Sequence, residues 1–381
     1  DFITYLPIHD MMAKNTKGKR LMQFSIHAMG KLTPEFVECI NSIDRAGFDC
    51  DYISDALLLS TTFSNGKIQT AAGTCYSGLI IPDSHNILTP EVKAHIDNLR
   101  AAGAHIIIGT AAADMAHAAK AEEMKTRYGL KLIRRSNDKG HHYFIANLTP
   151  NDIQGYTSLS VPMDAAIWFD PMTGKRERAD IDNGNILLSL RSGESIILQT
   201  FDKVDNSLLD ELAGLPVRCG WSSDEGTEKE LSAWTLRFAE CTPDNGKTYD
   251  LTGAQPWENL DETTRTLMGT GIYECHANIT EADLKDGNSW TIDLGDVRES
   301  ARVYVNDSLV GCAWAVPYRL DFSGLLHKGD NIIRIEVTNL PANRISQLDR
   351  EGVQWRKFEE INIVDLHYKR TTYEGWDPVP S

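Results

Sequence analysis

Residues 78–109 read GLIIPDSHNILTPEVKAHIDNLRAAGAHIIIG, and this stretch decides the fold of the first part of the chain. It begins with the apolar run 78–82 and ends with the apolar run 105–109. Such short continuous runs are typical of parallel strands covered on both faces. Between them, Thr89 is placed to cap a helix that ends at Gly103. The stretch therefore predicts a strand, a helix and a second parallel strand.

The same layout occurs earlier in the chain. Thr33 precedes a helix pattern that ends at Gly47, and its apolar positions recur at the spacing of one helix face. A third helix is predicted over Asp114–Tyr128. Together these signals predict that residues 1–137 form an open α/β sheet of flavodoxin-like type.

From about His141 the pattern changes to short strands separated by turn residues. These strands are predicted at residues 143–146, 157–161, 166–169, 186–190 and 195–199. We expect residues 138–202 to form a small antiparallel β-sandwich. The polar segment 203–215 is predicted to be a linker with one helical turn.

Residues 216–381 are predicted to form a second all-β unit. Its clearest strands lie at residues 289–294, 301–305 and 331–337. Asn306-Asp307 is predicted to be a hairpin turn. Seven of the eight Trp residues lie in this part and supply apolar surface for a jelly-roll core. The predicted fold class is therefore multidomain α/β plus all-β: an open sheet, a small antiparallel β-sandwich and a jelly-roll.

The composition suits a folded protein and disfavours two classes of partner. The 381 residues are 41% hydrophobic, and 38 Lys and Arg against 54 Asp and Glu give a formal net charge of −16. A protein that binds nucleic acids or anionic membrane surfaces needs clustered Lys and Arg side chains. This acidic chain is therefore a poor partner for either. No apolar run approaches the ~20 residues of a membrane span.

The cysteines and histidines give no metal site. The seven Cys residues lie at positions 39, 50, 75, 219, 241, 275 and 312. None has zinc-knuckle spacing, and buried free thiols are the simplest interpretation. His141 and His142 would point to opposite faces of a strand. Calcium at a sandwich loop is the more suitable metal, but no Asp-x-Asp-x-Asp-Gly loop is present, so its ligands stay unknown.

No catalytic residue is predicted. A nucleophile elbow would place Ser or Cys in the turn after residue 109, but that turn offers only Thr110, for which capping or packing is the better interpretation. No glycine-rich phosphate loop follows a strand. Acidic residues such as Glu258 and Asp261 are interpreted as a solvated face, because sequence cannot place two carboxylates across a sugar.

The segment Trp314–Arg319 is the most promising binding surface. Aromatic faces stack on sugar rings, and Arg or Asn side chains bind hydroxyl groups. The candidate carbohydrate-binding residues are Asn306, Trp314, Tyr318 and Arg319. The alternative is that Trp314 and Tyr318 only pack in a core or beneath a loop.

A series of short motifs around this segment resembles the sugar-binding jelly-roll of family 2 glycoside hydrolases. They occur in order at Gly271–Glu274, Trp290–Gly295, Ala301–Asp307, Val310–Gly311, Pro317–Ser323 and Lys328–Ile333. The chain departs from that family at two places. Asn306-Asp307 stands where Asn-Gly is usual, and Asp330-Asn331 stands where the family has Glu-Asn.

The upstream part is similar to the region that follows the catalytic barrel in bacterial α-L-rhamnosidases of glycoside hydrolase family 106. The motifs that carry this similarity are Tyr5–Met11, Ala46–Ile53, Leu79–Asp83, Tyr143–Asn147 and Trp168–Gly174. In such enzymes the α/β part resembles a class I glutamine amidotransferase domain without its nucleophile, and the jelly-roll is galactose-binding-like. The acid and base belong to the barrel, so the resemblance transfers no catalytic residue to this chain.

The resemblance implies a periplasmic or extracellular enzyme that hydrolyses terminal α-L-rhamnosyl linkages of polysaccharides, by inversion and with calcium assistance. Its partners would be a rhamnose-containing glycan and an N-terminal catalytic domain of the same protein. A barrel of about 250 residues does not fit beside the β units. Since no initiator Met or signal segment precedes Asp1, we expect the chain to be a piece of a longer protein.

Three hypotheses on function follow. The first is an accessory, non-catalytic C-terminal portion of a glycoside hydrolase that supports its barrel. The second is a stand-alone carbohydrate-binding module acting through Trp314 and Tyr318. The third is an amidotransferase-like hydrolase that uses the α/β part.

Overall fold

The computed structural model describes residues 1–15, 33–221, 228–285, 289–353 and 355. The chain divides into two units, Asp1–Ser222 and Ser223–Ser381. Mixed helices and several sheets confirm a multidomain protein of the α/β plus β class. The last part of the predicted jelly-roll, residues 356–381 with Trp376, lies outside the described residues. No described helix is both long and apolar enough to span a membrane.

The first unit begins with a four-stranded parallel sheet and a small three-stranded antiparallel one. The strands of this part are β1 (Phe2–Tyr5), β2 (Cys50–Ile53), β3 (Thr62–Ser64), β4 (Lys67–Gln69), β5 (Cys75–Tyr76), β6 (Gly78–Ile81) and β7 (His105–Ile108). The parallel sheet has the order β2-β1-β6-β7. The chain first adds β2 on one side of β1 and then crosses to β6 on the other. The gap between the ends of β1 and β6 is therefore the topological switch point of the sheet.

Helices cover both faces of the parallel sheet. They are α1 (Ile8–Asn15), α2 (Pro34–Arg45), α3 (Asp55–Leu59), α4 (Pro90–Ala101), α5 (Ala112–Ala118) and α6 (Glu123–Tyr128). Ile43 of α2 packs in one cluster with Phe2 and Ile80, whereas Ile96 of α4 packs in another with Leu79. Neighbouring strand residues face opposite layers, which explains why the strands are apolar throughout.

The prediction of two Thr-led helices is confirmed, but the third helix was predicted too long. The Thr89 hydroxyl accepts a hydrogen bond from the Val92 amide at 3.3 Å, whereas Thr33 makes no side-chain cap. The stretch predicted as one helix over Asp114–Tyr128 is divided between α5 and α6. Ala119 is extended there, because the Glu122 amide donates to the Gly47 carbonyl instead of continuing the helix.

Two antiparallel sheets complete the first unit. Their strands are β8 (Lys131–Asn137), β9 (Gly140–Ala146), β10 (Ile153–Ser158), β11 (Ala165–Phe169), β12 (Arg176–Arg178), β13 (Ile181–Asp182), β14 (Asn185–Leu190) and β15 (Ser195–Phe201). The sheets have the orders β12-β11-β15-β9-β8 and β10-β14-β13. Trp168, Leu198 and Leu188 are buried between them in one core cluster.

The edges of this antiparallel part differ from the expected boundaries in two details. Strand β8 pairs with β9, so the five-stranded sheet already begins at Lys131. The predicted linker contains a longer helix than one turn, α7 (Asn206–Ala213), which Asp205 caps through the Leu208 amide. Leu208 packs against Ile167 and thereby covers part of the outer face of the sheet.

The second unit is built on a six-stranded antiparallel sheet of order β17-β16-β18-β23-β20-β21 and a two-stranded sheet of β19 and β22. Its strands are β16 (Trp234–Thr242), β17 (Thr248–Leu251), β18 (Met268–Ile279), β19 (Trp290–Asp293), β20 (Ser300–Val305), β21 (Ser308–Ala313), β22 (Arg319–Phe322) and β23 (Gly329–Thr338). Its helices are α8 (Glu262–Arg265) and α9 (Ala342–Arg350), with a 3₁₀ turn at Trp257–Asn259.

The tryptophans of this part only partly fill a core. Trp234 and Trp257 are buried, but Trp290 is half-buried and Trp314 is exposed. A Cβ atom on Gly271 would overlap the ring of Trp257, so this strand position requires glycine for close approach. The contact between the Trp257 ring and the Gly271 backbone fixes the position of the 3₁₀ turn against β18.

A buried ionic network joins the α/β part of the first unit to its antiparallel sheets. Glu122 Oε1 accepts hydrogen bonds from Arg134 of β8 at 2.7 Å and from the Tyr143 hydroxyl of β9 at 2.9 Å. Glu122 Oε2 accepts one from the Ser160 amide at 3.1 Å. Arg134 also pairs with the Asp1 carboxylate at 2.5 Å. A carboxylate withdrawn from water needs partners of this kind.

We predict that Glu122→Ala destabilises the first unit by about 3–5 kcal/mol, because Arg134 is left buried without its main partner. Urea unfolding followed by circular dichroism measures the loss. The matched control is Glu38→Ala on α2, where an exposed carboxylate pairs with Arg45 and no shift of the midpoint is expected. Equal midpoints for the two variants would show that the network contributes no net stability.

Candidate functional site

The predicted turn at Asn306-Asp307 is confirmed. It joins β20 to β21, with Val305 opposite Ser308. Asn306 has φ +49° and Asp307 has φ +63°, which is the left-handed geometry of a tight hairpin turn. Asn and Asp tolerate this region better than most residues do, which accounts for their use here.

The side chain of Asn306 is fully engaged in holding this turn. Its Nδ2 donates to the Leu325 carbonyl at 3.0 Å and to Asn331 Oδ1 at 2.8 Å. Its Oδ1 accepts from the Ile332 amide at 3.0 Å. Asn331, completely buried, also donates to the His327 carbonyl at 2.7 Å. These hydrogen bonds of Asn306 hold the hairpin of β20 and β21 against the loop before β23.

Tyr318 and Arg319 lie in different surroundings. Tyr318 is only 9% exposed and belongs to the core cluster that includes Val297. Arg319 lies opposite Asp293 in the two-stranded sheet, and its Nε donates to Asp293 Oδ2 at 2.7 Å. The pairing orients the guanidinium but leaves it partly exposed.

Trp314 is the exposed member of the predicted set. It follows β21 in a loop, and 61% of its surface is accessible. Val316 of the same loop is also exposed. The described contacts give three of the four predicted residues structural roles: Asn306 holds the turn, Tyr318 packs in the core, and Arg319 pairs with Asp293. As a binding set they stay a prediction, in which Trp314 offers the free aromatic face.

In other proteins the turn between a strand and the following helix can hold a nucleophile. The corresponding turn of this chain lies after β7. Gly109 has φ +80°, and Thr110 and Ala111 lead into α5. Burial raises the pKa of the Cys39 thiol to about 12 and also raises that of Cys50. A reactive cysteine needs a lowered pKa, so neither is an activated nucleophile.

The expectation of buried thiols was wrong for most of the cysteines. All seven are free, but only Cys39 and Cys275 are buried. Cys75, Cys219 and Cys312 are exposed. They lie in short strands or loops near the surface, where an apolar neighbourhood in sequence does not guarantee burial.

In the acidic loop 258–262, Asp261 has a structural role, and Glu258, which was expected on a solvated face, is buried. Asp261 caps α8 by accepting from the amides of Thr263 and Thr264, both at 2.9 Å. The backbone bond from Thr264 and the Lys247 ammonium hold the pKa of Asp261 well below its usual range. Among the described residues, no group of three or more His, Cys, Asp and Glu could hold a metal ion.

A cluster that the sequence did not reveal lies at the carboxyl edge of the parallel sheet. His9 Nε2 lies 2.8 Å from Asp55 Oδ2, joining the residues after β1 and β2. Asp10 Oδ2 accepts from the Ile87 amide at 3.0 Å, joining α1 to the loop after β6. Tyr5 is buried beneath them, and burial together with the Asp55 carboxylate raises its pKa. We call these four side chains, Tyr5, His9, Asp10 and Asp55, the switch-point cluster.

The loop after β6 adds further polar groups. Asp83 Oδ1 accepts from the His85 amide and lies 2.8 Å from His85 Nδ1, and Ser84 Oγ lies 3.3 Å from the same nitrogen. Both partners meet one ring nitrogen, so the trio is not arranged as a proton relay through the imidazole. It stabilises the turn instead.

Comparison with known proteins gives one curated relative and one solved structure of note. No family model matches the chain. Over 130 residues the chain is 29% identical to a Formosa agariphila protein named "Putative beta-glucuronidase", covering 32% of this chain and 11% of that protein. The structure of a rhamnosidase from Novosphingobium sp. PP1Y matches with a TM-score of 0.59 and 20% identity, covering 81% of this chain and 33% of that one. The chain therefore shares the fold of part of a rhamnosidase and spans about a third of its length.

We predict that Asn306→Ala destabilises the second unit by about 2–4 kcal/mol, because three hydrogen bonds are lost and Ala disfavours a positive φ. Thermal unfolding measures the change. The control is Asp307→Gly at the neighbouring exposed position, where a positive φ suits glycine and no loss is expected. Unchanged stability of Asn306→Ala would contradict the structural role of Asn306 and would leave this side chain available for ligand binding.

Proposed function

We propose that this chain is an accessory, non-catalytic portion of a glycoside hydrolase of the α-L-rhamnosidase type. The observation that carries the proposal is the fold match over 81% of the chain to one third of a rhamnosidase. The local similarity to a protein named as a β-glucuronidase supports the same general class. On this proposal the chain supports a catalytic barrel that belongs to the same protein.

The specific fold types, a flavodoxin-like sheet and a jelly-roll, are also part of this proposal. The order β2-β1-β6-β7, with all neighbours parallel, supports a flavodoxin-like sheet of class I glutamine amidotransferase type. The six-stranded sheet packed with β19 and β22 around one core supports a galactose-binding-like jelly-roll. The domain division at residues 202 and 215 remains part of the proposal, whereas the boundary expected at residue 137 lies inside the hairpin of β8 and β9.

Six carboxyl groups of the described residues have a lowered pKa, which is the opposite of what a glycosidase acid requires. A glycosidase acid must keep its proton near neutral pH, which requires a raised pKa. In the described part of the chain, every Asp or Glu with a shifted pKa has it lowered. These carboxyls are Glu38, Asp44, Asp83, Glu123, Asp261 and Asp283. Hydrogen bonds from amides and cations favour their charged forms, which suits structure rather than acid catalysis.

A rhamnose-containing glycan as partner, calcium assistance and a periplasmic or extracellular location are parts of the same proposal. They rest on the family resemblance of the sequence. The raised thiol pKa values of Cys39 and Cys50 give no support to the amidotransferase-like alternative.

We predict that the purified 381-residue chain releases no product from an aryl α-L-rhamnoside, because on this proposal the acid and base belong to the catalytic barrel. The complete gene product serves as the positive control in the same assay. Release of nitrophenol by the isolated chain above the rate of a heat-inactivated sample would contradict the non-catalytic role.

Carbohydrate binding through the second unit is the other candidate function, and the exposed indole of Trp314 favours it. Contact of this much apolar indole surface with water is unfavourable, and stacking on the apolar face of a sugar ring lowers the free energy by removing that surface from water. The Arg319 guanidinium, held by Asp293, is a donor suited to hydroxyl groups. This function is compatible with an accessory role and does not depend on it.

We predict that Trp314→Ala weakens binding of a rhamnose-containing oligosaccharide by about tenfold, which corresponds to the loss of one stacking contact. Isothermal titration calorimetry measures the affinity. Leu309→Ala is the matched control, because Leu309 is an exposed apolar residue of the same hairpin. Equal affinities of the two variants would remove Trp314 from the site.

A further inference from the structure

The outer face of the five-stranded sheet in the first unit carries an apolar row across four of its strands. Each member is paired with the next in the sheet register, and the members are Ile133 on β8, Phe144 on β9, Ile197 on β15 and Phe169 on β11. Side chains alternate between the two faces of a strand, and Trp168, the neighbour of Phe169, points into the core. The row therefore points away from that core.

Half of this row is covered by the chain itself. Helix α7 brings Leu208 and Leu212 into one apolar cluster with Phe169. Arg176 lies beside Phe169 on the edge strand β12 and forms an ion pair with Glu211 of the same helix. The cover is therefore an amphipathic helix that supplies leucines to the apolar row and a carboxylate to the arginine at its end.

The other half of the row is exposed to solvent. Ile133 is 57% exposed and Phe144 is 45% exposed. Arg135 and His142, the next pair of the same register, lie on the same face and are also exposed. Lys131 of the same strand is ion-paired to α2, whereas Arg135 has no ion pair among the described residues. We call Ile133, Arg135, His142 and Phe144 the β8–β9 face.

The charge of this outer face is opposite to that of the whole chain. The chain has a formal net charge of −16, but the charged residues that the five strands place on this face are all cationic: Lys131, Arg135, Arg176 and Arg178. Exposed apolar side chains mark interaction surfaces when they are contiguous. Aromatic and arginine side chains are enriched in protein interfaces, whereas Asp and Glu are depleted. The β8–β9 face thus suits an apolar protein surface that brings its own carboxylates.

We propose that the β8–β9 face binds an amphipathic, acid-bearing helix from the part of the parent glycoside hydrolase that lies outside this chain. The inference rests on the accessory role proposed above and names the surface that serves it. The bound helix places apolar side chains on Ile133 and Phe144 and a carboxylate beside Arg135. It thereby repeats on β8 and β9 the cover that α7 provides on β11 and β12.

The same charges make a second copy of this chain a poor occupant. Strand β8 is an edge strand, and antiparallel pairing of two copies about Ile133 would place Lys131 of one opposite Arg135 of the other. Like charges directly opposite each other destabilise a strand pair. A polysaccharide is also less suitable, because sugar rings stack on aromatic faces and Phe144 lies beside an aliphatic neighbour.

The test is hydroxyl-radical footprinting with mass spectrometry on the isolated 381-residue chain and on the complete gene product. We expect Ile133 and Phe144 to be oxidised readily in the isolated chain. In the complete product their oxidation should be about fivefold slower, because the centre of a protein interface excludes water. Leu57 on α3, which is 58% exposed, is the matched control residue and should be oxidised equally in both samples.

Two variants of the complete product assign the protection to this face. Arg135→Glu should restore rapid oxidation of Phe144, because the reversed charge repels the partner's carboxylate. Ile133→Glu should do the same by placing a charge in an apolar contact. Leu57→Glu is the matched control and should leave Phe144 protected. Circular dichroism of the isolated chains checks their folding, and Arg135→Glu decides the matter if Ile133→Glu does not fold.

Three results would overturn the proposal. They are equal oxidation of Phe144 in the two samples, slow oxidation already in the isolated chain, and protection that survives both substitutions. Protection of the isolated chain on addition of polygalacturonate alone would assign the face to an acidic polysaccharide instead. The rhamnosidase assay tests the accessory role separately. An inactive isolated chain with an unprotected face overturns only this inference, whereas an active isolated chain contradicts the accessory role.

Discussion

The buried carboxylate of Glu122 joins the two parts of the first unit, together with the bond from the Ser158 amide to Glu123 and the pair of Arg134 with Asp1. Residues on β8, on β9 and before β11 all donate to the Glu122 carboxylate, while the backbone amide of Glu122 bonds to Gly47 beside the parallel sheet. Because a buried charge tolerates no missing partner, the α/β layer and the antiparallel sheets are held in one arrangement.

Local patterns in the sequence were enough to predict many of the helices and strands but not the contacts that join them. The apolar runs ending at Ile81 and Ile108 identified parallel strands, and Thr89 identified a helix start, because these signals act over a few residues. The break between α5 and α6 was missed, since it arises from the bond between Glu122 and Gly47, which lie 75 positions apart in sequence. Propensity yields to such tertiary contacts.

The candidate sites likewise combine local features that the sequence predicts with long-range contacts that it does not predict. The turn at Asn306 was predictable because a two-residue hairpin restricts residue type, but its hydrogen bonds to Leu325 and Asn331 come from a distant loop. The burial of Tyr318 and the exposure of Trp314 depend on how the segment between β21 and β22 crosses the core. His9 and Asp55 lie 46 positions apart, so only the parallel pairing of β1 with β2 brings them together.

The close approach of Trp257 to Gly271 also constrains how this protein can change over evolutionary time. Any larger residue at Gly271 would collide with the indole, so the two positions are not free to drift separately. A lineage that replaces the glycine must first shrink or move the ring, and one that loses the ring opens a void in the core. Substitutions at the two positions should therefore be correlated among homologues of this β unit, even where the surrounding loops diverge.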